Sequence, residues 1–142
     1  MVDREKVERK IQQLDEFLHI LENLSKISNS ELLKDPIKIG SIKYYLQVSI
    51  ESCIDIATHI ISSERFRPPK DYGDTFNILS EEAIISDNFT QIMKKMVKFR
   101  NRIVHLYGEV DDQYVLDILK NRLDDFKIFR DAILKFIDKT NK

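Results

Sequence analysis

The scarcity of chain-turning residues constrains this sequence more than any other feature. Its 142 residues include three glycines and three prolines, whereas a β-sandwich or β-barrel needs a turn signal roughly every 8 to 12 residues. With 42% hydrophobic and 33% charged residues, the chain can bury a core. These features exclude an intrinsically disordered chain. They predict an all-α protein with one globular domain across residues 1–142.

Apolar residues with helical spacing predict two helices in the first half of the chain. They recur every three or four positions from about residue 3 to residue 28, as in an amphipathic helix. Asp35 followed by Pro36 resembles an N-cap and first helical residue. These two residues predict a second helix that runs to about Ser62, with Glu51 and Asp55 on the flank of its broad apolar face.

The second half begins with the one clear loop of the sequence, SSERFRPPKDYGD, followed by a short helix at about residues 75–85. Asn88 with Gln91 resembles a capping box that opens a further helix, which Gly108 ends. Asp111 or Asp112 then caps a last helix with apolar residues as far as position 136. The sequence therefore predicts an antiparallel bundle of four main helices plus a short helix.

Charge and cysteine content narrow the class of protein. The formal net charge is -1, from 23 Lys and Arg against 24 Asp and Glu, so any nucleic-acid contact needs a local basic patch. The single cysteine, Cys53, lies in an apolar run and is predicted to be buried. No run approaches the roughly 18 apolar residues of a membrane span. We therefore expect a cytoplasmic protein without a membrane segment.

One segment carries an unusual density of functional side chains. Residues 98–110, KFRNRIVHLYGEV, place Arg100, Asn101, Arg102, His105 and Tyr107 near the end of one helix. The sequence has no glycine-rich phosphate loop, paired cysteines, HExxH or GxSxG. This segment is therefore the candidate site.

A helical wheel separates the charged residues of this segment onto two sides. Lys94, Lys95 and Lys98 form a narrow basic face with Arg102 and His105, suited to an RNA backbone. An ordinary solvated helix face is the alternative for these lysines.

Arg100 lies on the apolar side of the same wheel, so its guanidinium needs a carboxylate or an interface. Glu51 or Asp55 can supply the carboxylate, and a buried ion pair that holds two helices in register fits the wheel equally well. Arg100 and His105 are about 140° apart on an ideal helix. Either the helix unwinds before Gly108, or two copies of the chain combine their residues.

The spacing Arg100-x4-His105-x-Tyr107 resembles the Arg-x4-His-x-Tyr motif of HEPN-domain ribonucleases, specifically the HepT-like toxins formerly grouped as DUF86. The segments ESCIDIATHII, DYGDTFNILSEEAII and MVKFRNRIVHLYGEVDDQYVLDIL are also similar to that family, in the same order. The resemblance covers nearly the whole chain.

This resemblance implies a homodimeric HEPN-like domain that cleaves RNA without metal or cofactor, as the toxin of a type VII-like toxin–antitoxin pair. It also implies a minimal nucleotidyltransferase antitoxin that transfers AMP to Tyr107 and joins the toxin in a larger assembly. Arg100 and His105 are the expected catalytic residues, with Asn101 and Arg102 in support. An imidazole can exchange a proton near neutral pH, and a guanidinium can neutralise a phosphate.

Other functions remain compatible with the same residues. The domain can be a non-catalytic partner or substrate-presenting subunit of a nucleotidyltransferase, with Arg, Tyr and His as interface anchors. A purely structural helical subunit would leave Arg100, Asn101 and His105 without a role. Tyr107 can also be the last core residue of its helix.

Overall fold

All regular structure in residues 2–140, which the computed structural model describes, is helical. The α-helices in this part of the chain are α1 (Arg4–Ser25), α2 (Asn29–Leu33), α3 (Pro36–Ser63), α4 (Tyr72–Glu81), α5 (Asp87–Leu106), α6 (Asp112–Asn121) and α7 (Leu123–Thr140). The predicted all-α helical bundle is confirmed. None of these helices is long and apolar enough to cross a membrane.

Helix α3 lies at the centre of the bundle and packs against each of the other α-helices. Its buried side includes Ile42, Leu46, Ile50 and Ile56, none of which is exposed to solvent. Cys53 is also fully buried, as predicted, and burial raises the pKa of its thiol well above the ordinary range. The core thus surrounds α3 on several sides.

Cross-helix pairs show that α1 is antiparallel to both α3 and α7. Against α7, ion pairs of 2.6, 2.9 and 2.9 Å follow one another in opposite chain order: Arg4–Asp138, Arg130–Asp15 and Lys127–Glu22. Against α3, the same order holds for the ion pair Lys10–Asp55 and the ring contact Phe17–Tyr45.

Side chains at the helix starts explain most of the helix boundaries. The Asp35 carboxylate accepts hydrogen bonds from the N–H groups of Ile37 and Lys38, which confirms the predicted start of α3. Helix α1 ends at Ser25, before the predicted residue 28, because the Ser28 hydroxyl caps the separate short helix α2. Helix α4 begins at Tyr72 rather than near residue 75, since Asp71 caps it.

Two further boundary predictions were wrong. Helix α5 starts before Asn88, because the Ser86 hydroxyl accepts the Phe89 N–H at 3.1 Å, and Asn88 lies inside the helix. The predicted last helix is two helices, α6 and α7, which separate at Arg122 where ψ is 4°. The Asp111 carboxylate caps α6, as one of the two predicted alternatives.

The end of α1 is completed by a side chain from α6. Lys120 Nζ donates to the Ser25 carbonyl oxygen at 2.5 Å and also to the Ile27 carbonyl oxygen. Ser25 is the last residue of α1, and its carbonyl group has no partner within the helix, whereas Ile27 follows in the connection to α2. Lys120 therefore satisfies one acceptor of the helix end and one acceptor of the connection.

The loop between α3 and α4 is held by Asp74. Its carboxylate accepts hydrogen bonds from both Nη atoms of Arg67 at 2.8 and 3.0 Å, from the Lys70 N–H and from the Asn77 amide. These donors, led by Arg67, hold the pKa of Asp74 well below its usual range. A carboxylate with four donors fixes the loop to the first turn of α4.

We expect Asp74→Asn to lower the free energy of unfolding by roughly 1–3 kcal/mol at pH 7, because charge-assisted hydrogen bonds are lost. A depressed folded-state pKa stabilises the protein above the unfolded-state pKa, about 4, and this stabilisation is lost as pH falls towards the folded-state value. Urea unfolding at several pH values measures the difference from the wild type, which should be full at pH 7 and shrink below about pH 4.

Glu81→Gln is the matched control, because Glu81 also binds Arg67 but its side chain is 53% exposed. It should cost less than Asp74→Asn. A difference between Asp74→Asn and the wild type that stays constant down to pH 2 would contradict the role of the Asp74 charge.

Candidate active site

Helix α5 carries the candidate residues, and its apolar face fixes their directions. That face packs into the core through Phe89, Met93, Met96, Val97, Phe99 and Ile103. The helix remains α-helical from Asp87 to Leu106, so no unwinding occurs between Arg100 and His105. Local unwinding was one of the two predicted ways to bring Arg100 and His105 to the same phosphate, and it is therefore wrong for this part of the helix. The two side chains remain about 140° apart around the helix axis.

Arg100 binds Glu51 of α3. Its Nη2 and Nε atoms donate to Glu51 Oε2 at 2.7 and 3.0 Å, and its Nη1 atom donates to Asn101 Oδ1 at 3.1 Å. The Arg100 side chain is 16% exposed and that of Glu51 is 31% exposed. Of the two predicted carboxylates, Glu51 is the partner, whereas Asp55 lies 4.0 Å from Lys10.

A tyrosine completes the surroundings of Arg100. The Arg100 Cζ atom lies 5.3 Å from the ring centroid of Tyr72, a distance at which a guanidinium and an aromatic face attract each other. Arg100, Glu51 and Tyr72 line a cavity of about 380 Å³ between α3, α4 and α5. The guanidinium is therefore held from three directions at the edge of an open hollow.

His105 lies on the other side of α5 and is exposed. Its neighbours Val104 and Leu106 are 41% and 45% exposed, although both are large apolar residues. Val104 lies about 40° from Arg100 around the helix axis. The last turn of α5 thus projects an imidazole flanked by apolar side chains.

The chain leaves α5 through a 3₁₀ turn, Tyr107–Glu109. Gly108 was expected to end the helix, but the α-helical geometry stops at Leu106. A Cβ atom added at Gly108 would meet no other atom within 4 Å. The predicted modification residue, Tyr107, has a backbone in this turn, while its side chain lies outside the described part of the structure.

The structure separates the predicted basic residues into two groups. Lys95, Lys98 and Arg102 line a cavity of about 390 Å³ between α5 and α6, together with Phe99 and Tyr114. Lys94 is half-buried and packs its aliphatic stem beside Gly73 of α4. The basic face therefore divides, and Arg102 belongs with Lys95 and Lys98 rather than with Arg100.

Two aromatic residues at these cavities were missed by the sequence analysis. Tyr72 lies in the segment predicted as a loop, and Tyr114 precedes the apolar residues predicted for the last helix. The spacing of Tyr114 and Ile118, four residues apart on α6, was the available signal, because it places Tyr114 on the flank of the buried side.

Comparison with known proteins relates the amino-acid sequence to a family of ribonucleases. The model of the family described as "Ribonuclease HepT-like" matches residues 7–133. The mRNA nuclease HepT of Shewanella oneidensis is 36% identical over 93 residues, which are 66% of this chain and 70% of the relative. A candidate RNase of Archaeoglobus fulgidus is 31% identical over 131 residues, which are 92% of each protein.

A solved structure shows a similar fold. The tri-AMPylated Shewanella oneidensis HEPN toxin, solved in complex with MNT antitoxin, superposes with a TM-score of 0.87 at 29% identity. The similarity covers 95% of this chain and 99% of the toxin chain.

Proposed function

Because the chain belongs to the HepT-like ribonuclease family, we propose that it is a metal-independent RNA endonuclease and the toxin of a toxin–antitoxin pair. Its partner is a minimal nucleotidyltransferase antitoxin, which silences it by transferring AMP to Tyr107. The nuclease names of the relatives and the antitoxin complex of the Shewanella oneidensis toxin support this proposal.

One observation carries the catalytic part of the proposal. The Arg100 side chain is oriented by Glu51, Asn101 and Tyr72. The His105 side chain is exposed on the last turn of the same helix. An oriented cation together with an accessible proton carrier is what phosphodiester cleavage requires. A helix under only structural constraint would have no need for an exposed histidine between two exposed apolar residues.

RNA supplies its own nucleophile in this reaction. A histidine removes the proton of the ribose 2′-hydroxyl, the 2′-oxygen forms a bond to phosphorus, and the bond from phosphorus to the 5′-oxygen breaks. A second proton carrier protonates the departing 5′-oxygen, which leaves a cyclic phosphate. Arg100 neutralises the extra negative charge of the transition state through its fork of N–H groups.

The angular separation on α5 favours a homodimer. One continuous helix does not direct Arg100 and His105 at the same phosphate, whereas Arg100 of one protomer and His105 of its partner can meet across a two-fold axis. The exposed Val104 and Leu106 supply apolar surface at this end of α5. A second copy of the chain that covers Val104 lies on the side of α5 that carries Arg100.

AMP transfer joins the Tyr107 phenol oxygen to the α-phosphorus of ATP. The phenol loses its proton, and the bond between that phosphorus and the leaving pyrophosphate breaks. Tyr107 follows His105 by two residues, so the new phosphodiester and adenosine lie close to the cleavage site. There they compete with RNA for the cations of α5 and block access to His105.

We expect His105→Ala and Arg100→Ala each to reduce RNA cleavage at least about 100-fold, since one loses the proton carrier and the other loses the cation. Both variants should keep their helical circular dichroism spectra. Gel analysis of single-stranded RNA after incubation with each purified variant measures the loss.

Matched controls come from the same bundle. His19 is exposed on α1, and Arg130 is a partly buried arginine paired with Asp15, so His19→Ala and Arg130→Ala should retain cleavage. Undiminished cleavage by His105→Ala would remove His105 from the mechanism. Unfolding of Arg100→Ala would show that the ion pair with Glu51 is structural. If the wild-type protein leaves the RNA uncut, the alternative of a substrate-presenting subunit is favoured.

Mixing the two inactive variants tests the composite site. Subunit exchange between Arg100→Ala and His105→Ala should restore part of the cleavage, because some mixed dimers contain one site with both residues intact. Exchange is followed independently by native mass spectrometry. Complete inactivity of a mixture whose exchange has been verified would mean that each chain carries its own complete site.

Tyr107→Phe tests the modification. It keeps the ring and loses the acceptor oxygen, so the variant should remain an active nuclease that escapes silencing by the nucleotidyltransferase with ATP. Intact-mass spectrometry should show AMP units on the wild type and on the control Tyr44→Phe, but none on Tyr107→Phe. Equal modification of all three proteins would exclude Tyr107 as the acceptor.

A further inference from the structure

A groove between α5 and α6 lies on the side of α5 that carries the proposed catalytic residue His105. It consists of two adjoining cavities, of about 390 and 200 Å³, which share Lys95 and Tyr114 as lining residues. The larger one is within the range of small-ligand sites. It is open to solvent and is lined by an aromatic pair on one side and by cations on another.

Tyr114 forms the aromatic wall. Its ring lies 5.6 Å from that of Phe99, at 60°, and Phe99 is only 2% exposed, so the buried ring supports the outer one. Tyr114 is itself 47% exposed. A supported aromatic ring that remains half open is the feature on which proteins stack the bases of single-stranded nucleic acids.

The cations form a row along the same side of α5. Lys95, Lys98 and Arg102 are separated by three and four residues, so they follow one another along one side of the helix. In the described part of the chain, the side chains of these three residues make no ion pair or hydrogen bond with another residue. His105 lies about 20° from Lys98 around the helix axis. The row therefore leads from the cavity to the imidazole.

We propose that this groove is a nucleotide subsite for single-stranded RNA, in which Tyr114 stacks on a base next to the cleaved linkage. Lys95, Lys98 and Arg102 bind the backbone phosphates on the path to His105. The inference rests on the proposed RNA cleavage and adds the path and the base contact that position the substrate.

The shape of the groove favours RNA over an acidic protein partner. An acidic protein surface can pair with the three cations but leaves the hollow beside Tyr114 empty. A planar base fills that hollow while its phosphate reaches the cationic side. Two carboxylates line each of the two cavities, and one of those in the larger cavity, Asp111, is already engaged in capping α6 through the Gln113 N–H at 2.9 Å.

The test measures RNA affinity in a His105→Ala background, where the substrate is not consumed. Fluorescence anisotropy with a short, mixed-sequence single-stranded RNA should show that Tyr114→Leu weakens binding about tenfold, within the range for loss of one stacked base. Tyr114→Phe should bind like the parent. Tyr44→Leu, which alters an exposed tyrosine of α3 outside the groove, should stay within about twofold.

Two further readouts separate stacking from charge. A 2-aminopurine in the RNA should lose fluorescence on binding to the parent but not on binding to Tyr114→Leu. Lys98→Ala should reduce the slope of log affinity against log salt by about 0.7, the value for one lost phosphate contact on a single strand. Lys135→Ala, an exposed lysine towards the far end of α7, should leave that slope unchanged.

The outcomes distinguish this inference from the proposed function. RNA cleavage by the wild type, combined with parent-like RNA affinity in Tyr114→Leu, overturns the subsite and leaves the nuclease intact. RNA binding without cleavage by the wild type overturns the nuclease alone, and absence of both overturns both. Unchanged RNA affinity with loss of nucleotidyltransferase binding would make the groove a protein interface instead.

Discussion

Every other α-helix in residues 2–140 packs against α3, so this helix has few positions at which a charge can be tolerated. Glu51 occupies one of them, at the edge of the buried side, and its carboxylate meets the Arg100 guanidinium. An isolated charge at a partly buried position is unfavourable, whereas a paired and hydrogen-bonded one is tolerated. One contact between α3 and α5 therefore makes both charges tolerable at the edge of the core and orients the proposed catalytic cation.

The unbroken α-helical geometry of α5 gives the site two separate sides. Arg100 faces the hollow shared with α3 and α4, while His105 and the cations of the α5–α6 groove face the opposite side. A single chain presents these groups to different neighbours. In the proposed homodimer, cleavage needs both groups and is linked to self-association by mass action, so dilution of the protein would lower its activity.

Much of this arrangement could be predicted from sequence because it follows from local rules. Asp35 before Pro36 fixed the start of α3, and the helical wheel placed Arg100 on the apolar side with Glu51 as a possible partner. Prediction failed where two local signals competed. Ser86 and Asn88 are both good caps, and it is the Ser86 hydroxyl that accepts the Phe89 N–H at the start of α5.

Long-range contacts explain what the sequence could not reveal. The helices α6 and α7 both bury apolar residues on either side of the break at Arg122, and no glycine or proline marks this break in the sequence. The Tyr114 cavity depends on the distance between α5 and α6, which no spacing within one helix specifies. The candidate residues of α5 could be grouped from the sequence because they share one helix, whereas the groove could not be predicted because two helices form it.

The bond between Lys120 and the end of α1 has a consequence for biosynthesis. Ser25 leaves the ribosome long before Lys120 has been translated, since 95 positions separate them. Until α6 has emerged, the Ser25 carbonyl oxygen at the end of α1 binds water instead, and the end of this helix frays. The helix that is translated first is thus among the last to be completed. A chain truncated before α6 lacks the Lys120 donor for the end of α1.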